Sequence, residues 1–357
     1  MKKTLLATAI AGAMVYGATA AQAATVYDQD GTRLDLYGRL ALGIAGGGPE
    51  YDDNGNFQRN SAEFIDVYSR LGLRGQQQIS SDLTAFAHLE WRFRGDEQRS
   101  GQAFHQTRQS YLGLRSATIG TFQAGNFDSF YKDVVSAPFD VYIDQGLEFQ
   151  GHPVQSRGDS IGYITPNLSG FQAYLQAKHY SSRGTDPSQP GQEENSEIAT
   201  QGGVKYELEG LRLALGYIDD RDGRANGTGE MIWGATASYA FNDNFSARLG
   251  YETRSNNDDL DEDGDEIGGG FKTWGLGGTY AVGQWAFNAD VYRVRPDNED
   301  NRTAWALGSY YKVSSNFDVF AELYQADQAE ITFSTDDGVR TADGDDLYYL
   351  VGARYHF

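Results

Sequence analysis

Few residues in this sequence are of types and spacings that could carry covalent chemistry. There is no cysteine, which removes thiol and disulfide chemistry. The five histidines, His88, His105, His152, His179 and His356, have neither zinc-ligand spacing nor an adjacent nucleophile motif. In the acidic run 259–264, Asp259, Asp261, Asp263 and Gly264 fit the first half of a calcium loop. The twelfth position is Gly270, not glutamate, and no helical pattern flanks it, so a solvated loop is the better reading. No metal and no cofactor are expected. What remains is fixed charge. Arg39 and Arg70 fall on the polar side of alternating segments, and an arginine stays charged at any physiological pH. Several on one wall repel one another and need facing carboxylates. Opposed rows of charge set up a transverse field, which sorts solutes by charge and polarity without transforming them.

The elements that carry these charges have a period of two. In the first, Leu34, Leu36, Leu40, Leu42 and Ile44 share one face and Asp35, Tyr37, Arg39 and Ala41 the other. The next sets Ile65, Val67, Leu71 and Leu73 against Asp66, Tyr68, Arg70 and Arg74. Later segments oppose Phe245, Ala247, Leu249 and Tyr251 to Ser246, Arg248 and Glu252, and Phe317, Val319, Ala321 and Leu323 to Asp318 and Glu322. The last sets Leu347, Tyr349, Val351, Tyr355 and Phe357 against Tyr348, Arg354 and His356. Such alternation gives strands with one apolar and one polar face.

The connections alternate as well. Seven short turns are expected near Ser80, Ser116, Asn167, Glu209, Asn242, Val282 and Ser314. Eight longer polar stretches separate them, at about 46–61, 95–106, 127–156, 181–196, 219–229, 255–270, 296–302 and 326–345. Sixteen strands with short turns at one rim and long loops at the other make an all-β, antiparallel transmembrane barrel. Closure removes the exposed edges of so many strands. A soluble sandwich would bury its apolar face and vary its connections irregularly. A barrel of sixteen strands is too wide for side chains to fill, so its lumen is polar and wet.

Composition agrees. No apolar run is long enough for a spanning helix, and the mean hydropathy is −0.55, as alternate-residue hydrophobicity produces. The chain holds 44 Gly, 23 Tyr and 19 Phe, suited to turns, strands and aromatic girdles. Its 29 Lys+Arg against 50 Asp+Glu give −21 at pH 7, which argues against nucleic acid and for cations over anions if the charge lines a pore. Met1, Lys2 and Lys3, the apolar residues 4–20 and Ala21-Gln22-Ala23 read as a signal peptide, residues 1–23, cleaved between Ala23 and Ala24. Residues 24–357 then form the barrel.

Over that whole stretch the sequence resembles the Gram-negative general diffusion porins of the trimeric osmoporin type. The resemblance is carried by A-T-V-Y-D-Q-D-G-T-R-L-D-L-Y-G-R at 24–39, S-R-L-G-L-R-G at 69–75, T-R-Q-S-Y-L-G-L at 107–114 and Y-H-F at 355–357. It implies a third extracellular loop, residues 127–156, folded into the barrel as a constriction. Asp144 and Glu148 in D-Q-G-L-E-F-Q-G, with Asp140, match its acidic side; Leu147 stands where a proline is common. Arg39, Arg70 and Arg108 match the basic ladder on the opposite wall, and Arg157, in a segment closer to neisserial porins, is a fourth. The resemblance further implies a homotrimer in outer-membrane lipid and lipopolysaccharide. Periplasmic chaperones and the outer-membrane assembly machinery would recognise a terminal signal at Tyr355 and Phe357. Passing solutes would be small hydrophilic molecules and ions.

Two rivals differ in class. A hydrolytic barrel enzyme needs a base and nucleophile that meet only in three dimensions. A sugar-specific channel needs an aromatic track, for which Phe130, Tyr131, Phe139, Tyr142 and Phe149 are the available residues.

Overall fold

A computed structural model of the chain describes residues 23–49, 59–97, 104–150, 158–180, 197–221, 227–260, 264, 266–297, 300–335, 338–344 and 347–357. The signal segment 1–22 and Arg157 lie outside the described residues. In chain order the strands are β1 (Ala24–Gln29), β2 (Thr32–Gly46), β3 (Glu63–Asp66), β4 (Arg70–Gln78), β5 (Leu83–Arg92), β6 (Gln106–Ser116) and β7 (Gly120–Asn126). After the third long connection come β8 (Ser160–Ile164), β9 (Phe171–Tyr180), β10 (Glu197–Leu208), β11 (Leu211–Asp219), β12 (Met231–Ala240) and β13 (Phe245–Arg254). The rest are β14 (Asn257–Leu260), β15 (Glu266–Gly268), β16 (Phe271–Val282), β17 (Trp285–Pro296), β18 (Arg302–Lys312), β19 (Phe317–Gln325), β20 (Gln328–Thr335), β21 (Gly338–Gly344) and β22 (Tyr348–His356).

Sixteen of these, namely β2, β4 to β13, β16 to β19 and β22, pair antiparallel with their neighbours. β2 pairs with β4 on one side and β22 on the other, which closes the barrel. The pairs β14–β15 and β20–β21 are separate hairpins within long connections. Local sequence explains the tight turns. Glu209 and Gly210 both have left-handed φ, 47° and 86°, as a two-residue hairpin turn demands.

β1 is not a further barrel stave. It lies along β2 in the lane that β22 occupies higher up: Tyr355 faces Leu40, Phe357 exchanges backbone bonds of 2.8 and 3.1 Å with Gly38, and Ala24 faces Leu36. The Phe357 ring covers Gly38, where an added Cβ would sit 2.5 Å from Cζ, so glycine is needed at that position.

Alternation survives as burial. Leu249, Leu276, Leu307 and Val351 are exposed on the outer face, whereas Glu252, Asp290 and Glu322 on the inner face are buried. One expected segment departs from the pattern. Residues 63–73 do not form one strand, because β3 ends at Asp66 and Tyr68 takes a left-handed φ of 61°. The Asp66 carboxylate accepts the N–H groups of Ser69 (2.8 Å) and Gly95 (3.0 Å) and turns the chain there. Val67 and Ile65 consequently pack with Ala41 and Leu350 on the inner face, while Leu73 keeps the outer face opposite Leu36.

Candidate functional site

Register brings the arginines of the inner wall together. Arg39 lies opposite Arg70, and Arg70 opposite Arg92, in one row across β2, β4 and β5. His356 extends the row on the other side of Arg39. Like charges directly opposite are unfavourable, so the row needs acceptors. Glu90, almost fully buried, is one: it accepts from Arg108 Nη1 at 2.6 Å and Tyr37 Oη at 2.7 Å, and lies 3.6 Å from Arg70 Nε. Arg108 also donates to Asp128 at 2.9 Å. Plain alternation would not aim Arg108 inward. The β5–β6 register slips between Glu90 and Trp91, leaving Arg108 as the extra residue of a bulge, and bulges re-aim side chains in this way.

Tyr68 links this wall to the third long connection. Its carbonyl accepts from Arg39 Nε at 3.1 Å, its ring lies 4.5 Å from the Arg92 guanidinium, and its hydroxyl donates to Asp144 at 2.5 Å. A non-glycine residue in left-handed backbone is uncommon, and here it sits where wall and loop meet. Arg354 and His356 close the basic patch on Asp318, at 2.7 and 3.0 Å. Arg92, Arg354, Glu90, Asp128 and Asp318 were not among the site residues expected. Glu90 could not be recognised because strand register is invisible in the sequence.

Residues 127–150 run along the polar inner face of the barrel. A short π-helical turn, Lys132–Ser136, carries Tyr131, Val134 and Val135 against Ala214, Ile218 and Ile232. Phe139 and Phe149 pack against Tyr292, Val294 and Ala304. The wall is pared to glycine beneath them. A Cβ on Gly234 would come within 2.0 Å of Tyr131 Oη, and one on Gly250 within 2.7 Å of Phe149 Cζ. Inward-facing glycine in mid-strand marks a close approach, a signal the sequence did contain. Thr236 Oγ1 donates to the Val135 carbonyl at 2.8 Å, Asn288 to Val141 at 3.2 Å, and Tyr142 to Ala306 at 2.9 Å.

The expected acidic residues are tied to partners other than the arginine ladder. Asp144 accepts from Tyr68 and Tyr348. Glu148 is buried against Arg302 (2.5 Å) and accepts from Tyr324. Asp140 pairs with Lys132 at 2.8 Å. Burial works against the Lys132 ammonium, but Asp140, Asp128 and Asp133 outweigh it and hold its pKa above the usual lysine value. Among the described contacts none of these three carboxylates pairs with Arg39, Arg70 or Arg108, and Arg39 forms no ion pair.

The model of the Gram-negative porin family matches residues 7–331 of the chain. The chain is a Gram-negative porin. It is 30% identical over 378 residues to a protein named monosaccharide porin from a Halomonas species, covering all of this chain and 91% of that relative. In fold it is similar to an anion-selective porin from Comamonas acidovorans, with a TM-score of 0.68 at 19% identity over 91% of this chain and all of that one. OmpT of Vibrio cholerae in its trimer form gives 0.64 at 16% over 92% and 100%. The porin is thus an outer-membrane barrel and a diffusion channel, not an enzyme. Its outer apolar band faces lipid, and its polar face, arginine row included, faces the lumen.

Proposed function

We propose that this porin passes small hydrophilic solutes and ions with a preference for cations, and that its narrowest point lies between the arginine row and residues 127–156. Charge carries the preference. Glu90, Asp128 and Asp318 already answer the wall arginines, so the excess of carboxylates elsewhere decides the sign. Residues 258–266 alone hold seven carboxylates and no basic residue. A negatively charged mouth raises the local concentration of cations. Arg39, Arg70, Arg108 and Arg157 form the basic side of the constriction, Asp140, Asp144 and Glu148 the acidic side. Water and polar solutes align in the field between them, and an apolar solute has to displace ordered water. Flux follows the gradient without a conformational cycle.

The chain acts in this reading as a homotrimer, the form in which OmpT of Vibrio cholerae is described. The acidic loops face lipopolysaccharide, which divalent cations can bridge to them. Export removes residues 1–23, freeing Ala24. Chaperones and the assembly machinery then read Tyr355 and Phe357 on the outer face of the last strand.

The reversal potential in a salt gradient tests the preference. Cation selectivity is expected, weakened by Asp144→Asn with Glu148→Gln and again by neutralising 258–266. Anion selectivity in the unmodified protein, as the name of the Comamonas relative states for that porin, would overturn it. A sugar-specific channel draws support from the name of the Halomonas relative. The five aromatic residues available for a track are each at most 9% exposed, which leaves them packing the loop to the wall. Saturable block of conductance by a monosaccharide would favour that second reading.

A further inference from the structure

Lysine and arginine on the barrel strands follow the polarity of the wall, except at Lys272, Arg293 and Arg295. From Arg33 on β2 to Arg354 on β22 they have inward parity, whereas Lys272 on β16 and Arg293 and Arg295 on β17 are exposed on the outer face. Their neighbours Thr273, Tyr292 and Val294 are buried on the inner one. Charge on the lipid face of a barrel is unfavourable at mid-membrane and tolerated near the interfaces. Height along β17 accounts for the exceptions. Trp285 opens the strand at the short-turn rim, its ring stacked on Phe287 and 4.7 Å from that of Tyr311. Arg295 lies ten residues further on, about 33 Å along the strand and, at the usual tilt, about 25 Å up the membrane. That is about the height of the apolar band, so the cations stand among headgroups on the long-loop side. Trp274, opposite Arg293 and 4.3 Å from the Tyr251 ring, marks the same level, where Trp and Tyr collect.

The cations are close together and short of partners. Lys272 lies directly opposite Arg295 in the β16–β17 register, and Arg293 is the next outward residue of β17. Like charges so placed repel. Among the described contacts one carboxylate answers them, Asp297, which is 3.5 Å from Lys272 Nζ and exposed. Arg293 Nη1 donates to Thr303 Oγ1 at 2.7 Å, which holds the guanidinium along the outer face towards β18. Arg295 forms no ion pair among those contacts. Guanidinium forks with an ammonium beside them match the oxygens of a phosphate. Below the cations the outer face is hollow. Gly278 lies opposite Ala289, and an apolar groove of about 490 Å³ runs over them and Ala321, flanked by Phe287, Leu307 and Leu323. Ala289 is four residues from Arg293, about 13 Å along the strand. A chain hung from a headgroup at Arg293 would pass Val291 and enter the groove, out of water.

We propose that Lys272, Arg293 and Arg295 form a binding site for the phosphate of an outer-leaflet lipid, one acyl chain of which lies in the groove below. The phosphate takes the place between Lys272 and Arg295 and offsets their repulsion. The contact is direct and needs no divalent cation, unlike bridging to the acidic loops. It depends on the outer-membrane placement of the barrel and not on where the channel is narrowest.

The test is binding of diphosphorylated lipid A, the phosphate-bearing anchor of lipopolysaccharide, to the purified full-length porin in detergent with EDTA present, read by native mass spectrometry. Each cation near an anionic lipid is worth about fivefold in affinity. Lys272→Gln with Arg293→Gln and Arg295→Gln should therefore bind about a hundredfold more weakly. Lipid A stripped of its phosphates should bind the unmodified porin about as weakly. Conductance should not change, since the site lies outside the lumen. Should the triple variant not assemble, Arg295→Gln alone breaks no described ion pair and should cost about fivefold. Ala289→Phe fills the groove without touching the cations. It should weaken the long-chain lipid more than a short-chain analogue carrying the same phosphates, and equal weakening of the two would overturn the acyl-chain contact. Unchanged affinity in the charge variants, or equal affinity for the stripped lipid, would overturn the proposal. Binding that EDTA abolishes would overturn it too, and would assign the lipid to divalent bridging at the acidic loops.

Discussion

Two stretches of one inner wall are built on opposite plans. Across β2, β4 and β5 the inward positions carry Arg39, Arg70 and Arg92 in adjacent register. Across β11, β12, β13 and β16 they carry Gly216, Gly234, Gly250 and Gly275, with Thr236 and Glu252 between. The second stretch is covered by residues 127–150; the first meets them only at its edge, where Tyr68 donates to Asp144. Where a chain segment lies on the wall, its aromatic rings take the volume that Cβ atoms would fill, and its backbone groups need hydroxyl and carboxylate partners. Where the wall faces the open lumen, cations can stand in a row because water and Glu90 offset their repulsion. The identity of an inward residue therefore reports what covers it.

Substitutions can break this contrast, beginning with the largest effect. Glu90→Ala leaves Arg70 and Arg108 without their main acceptor in a part-buried site. We expect a loss of about 3–5 kcal/mol, the range for breaking a buried ion pair, measured by heat or urea unfolding. Little change would mean that water alone offsets the row. Gly234→Val places atoms where Tyr131 sits and should cost about 1–3 kcal/mol by overpacking. The same change at Gly75, on the outer face opposite Leu34 and with nothing within 4 Å of its Cβ position, should be neutral within about 0.5 kcal/mol. Equal losses at the two sites would mean that the inserted segment is not what limits Gly234.

Thr236→Val keeps the shape and removes the hydroxyl that serves Val135. A loss of about 1 kcal/mol is expected, with a melting temperature lower by a few degrees. Arg39→Gln should alter stability least, within about 0.5 kcal/mol, since Arg39 forms no ion pair among the described contacts. It should nonetheless raise conductance and move the reversal potential further towards cations. A fall in conductance would show that Arg39 stands outside the narrow part.

Much of the barrel could be read from the sequence because its rules are local. Period-two alternation and turn residues such as Glu209-Gly210 need no knowledge of partners. Arg39 and Arg70 were legible for the same reason. Arg108 reaches the patch through a bulge, a property of register between two strands that neither strand reveals alone. Tyr68 breaks its strand because Asp66 caps Ser69 and Gly95, a contact that spans 29 residues in the case of Gly95. The partners of the loop carboxylates are more remote still. Glu148 meets Arg302 and Tyr324, and Asp144 meets Tyr348, more than 150 positions along the chain. The inward glycines were visible throughout and mark the path of the segment, once inward-facing glycine is taken as a close approach.

The proposal that the arginine row lines the narrowest part of a water-filled channel is open to cysteine chemistry, because the chain has no cysteine of its own. Arg70→Cys in planar bilayers, exposed to a negatively charged methanethiosulfonate, should lose conductance in irreversible steps and shift its reversal potential towards cations. Complete modification by mass with unchanged conductance and reversal potential would contradict it.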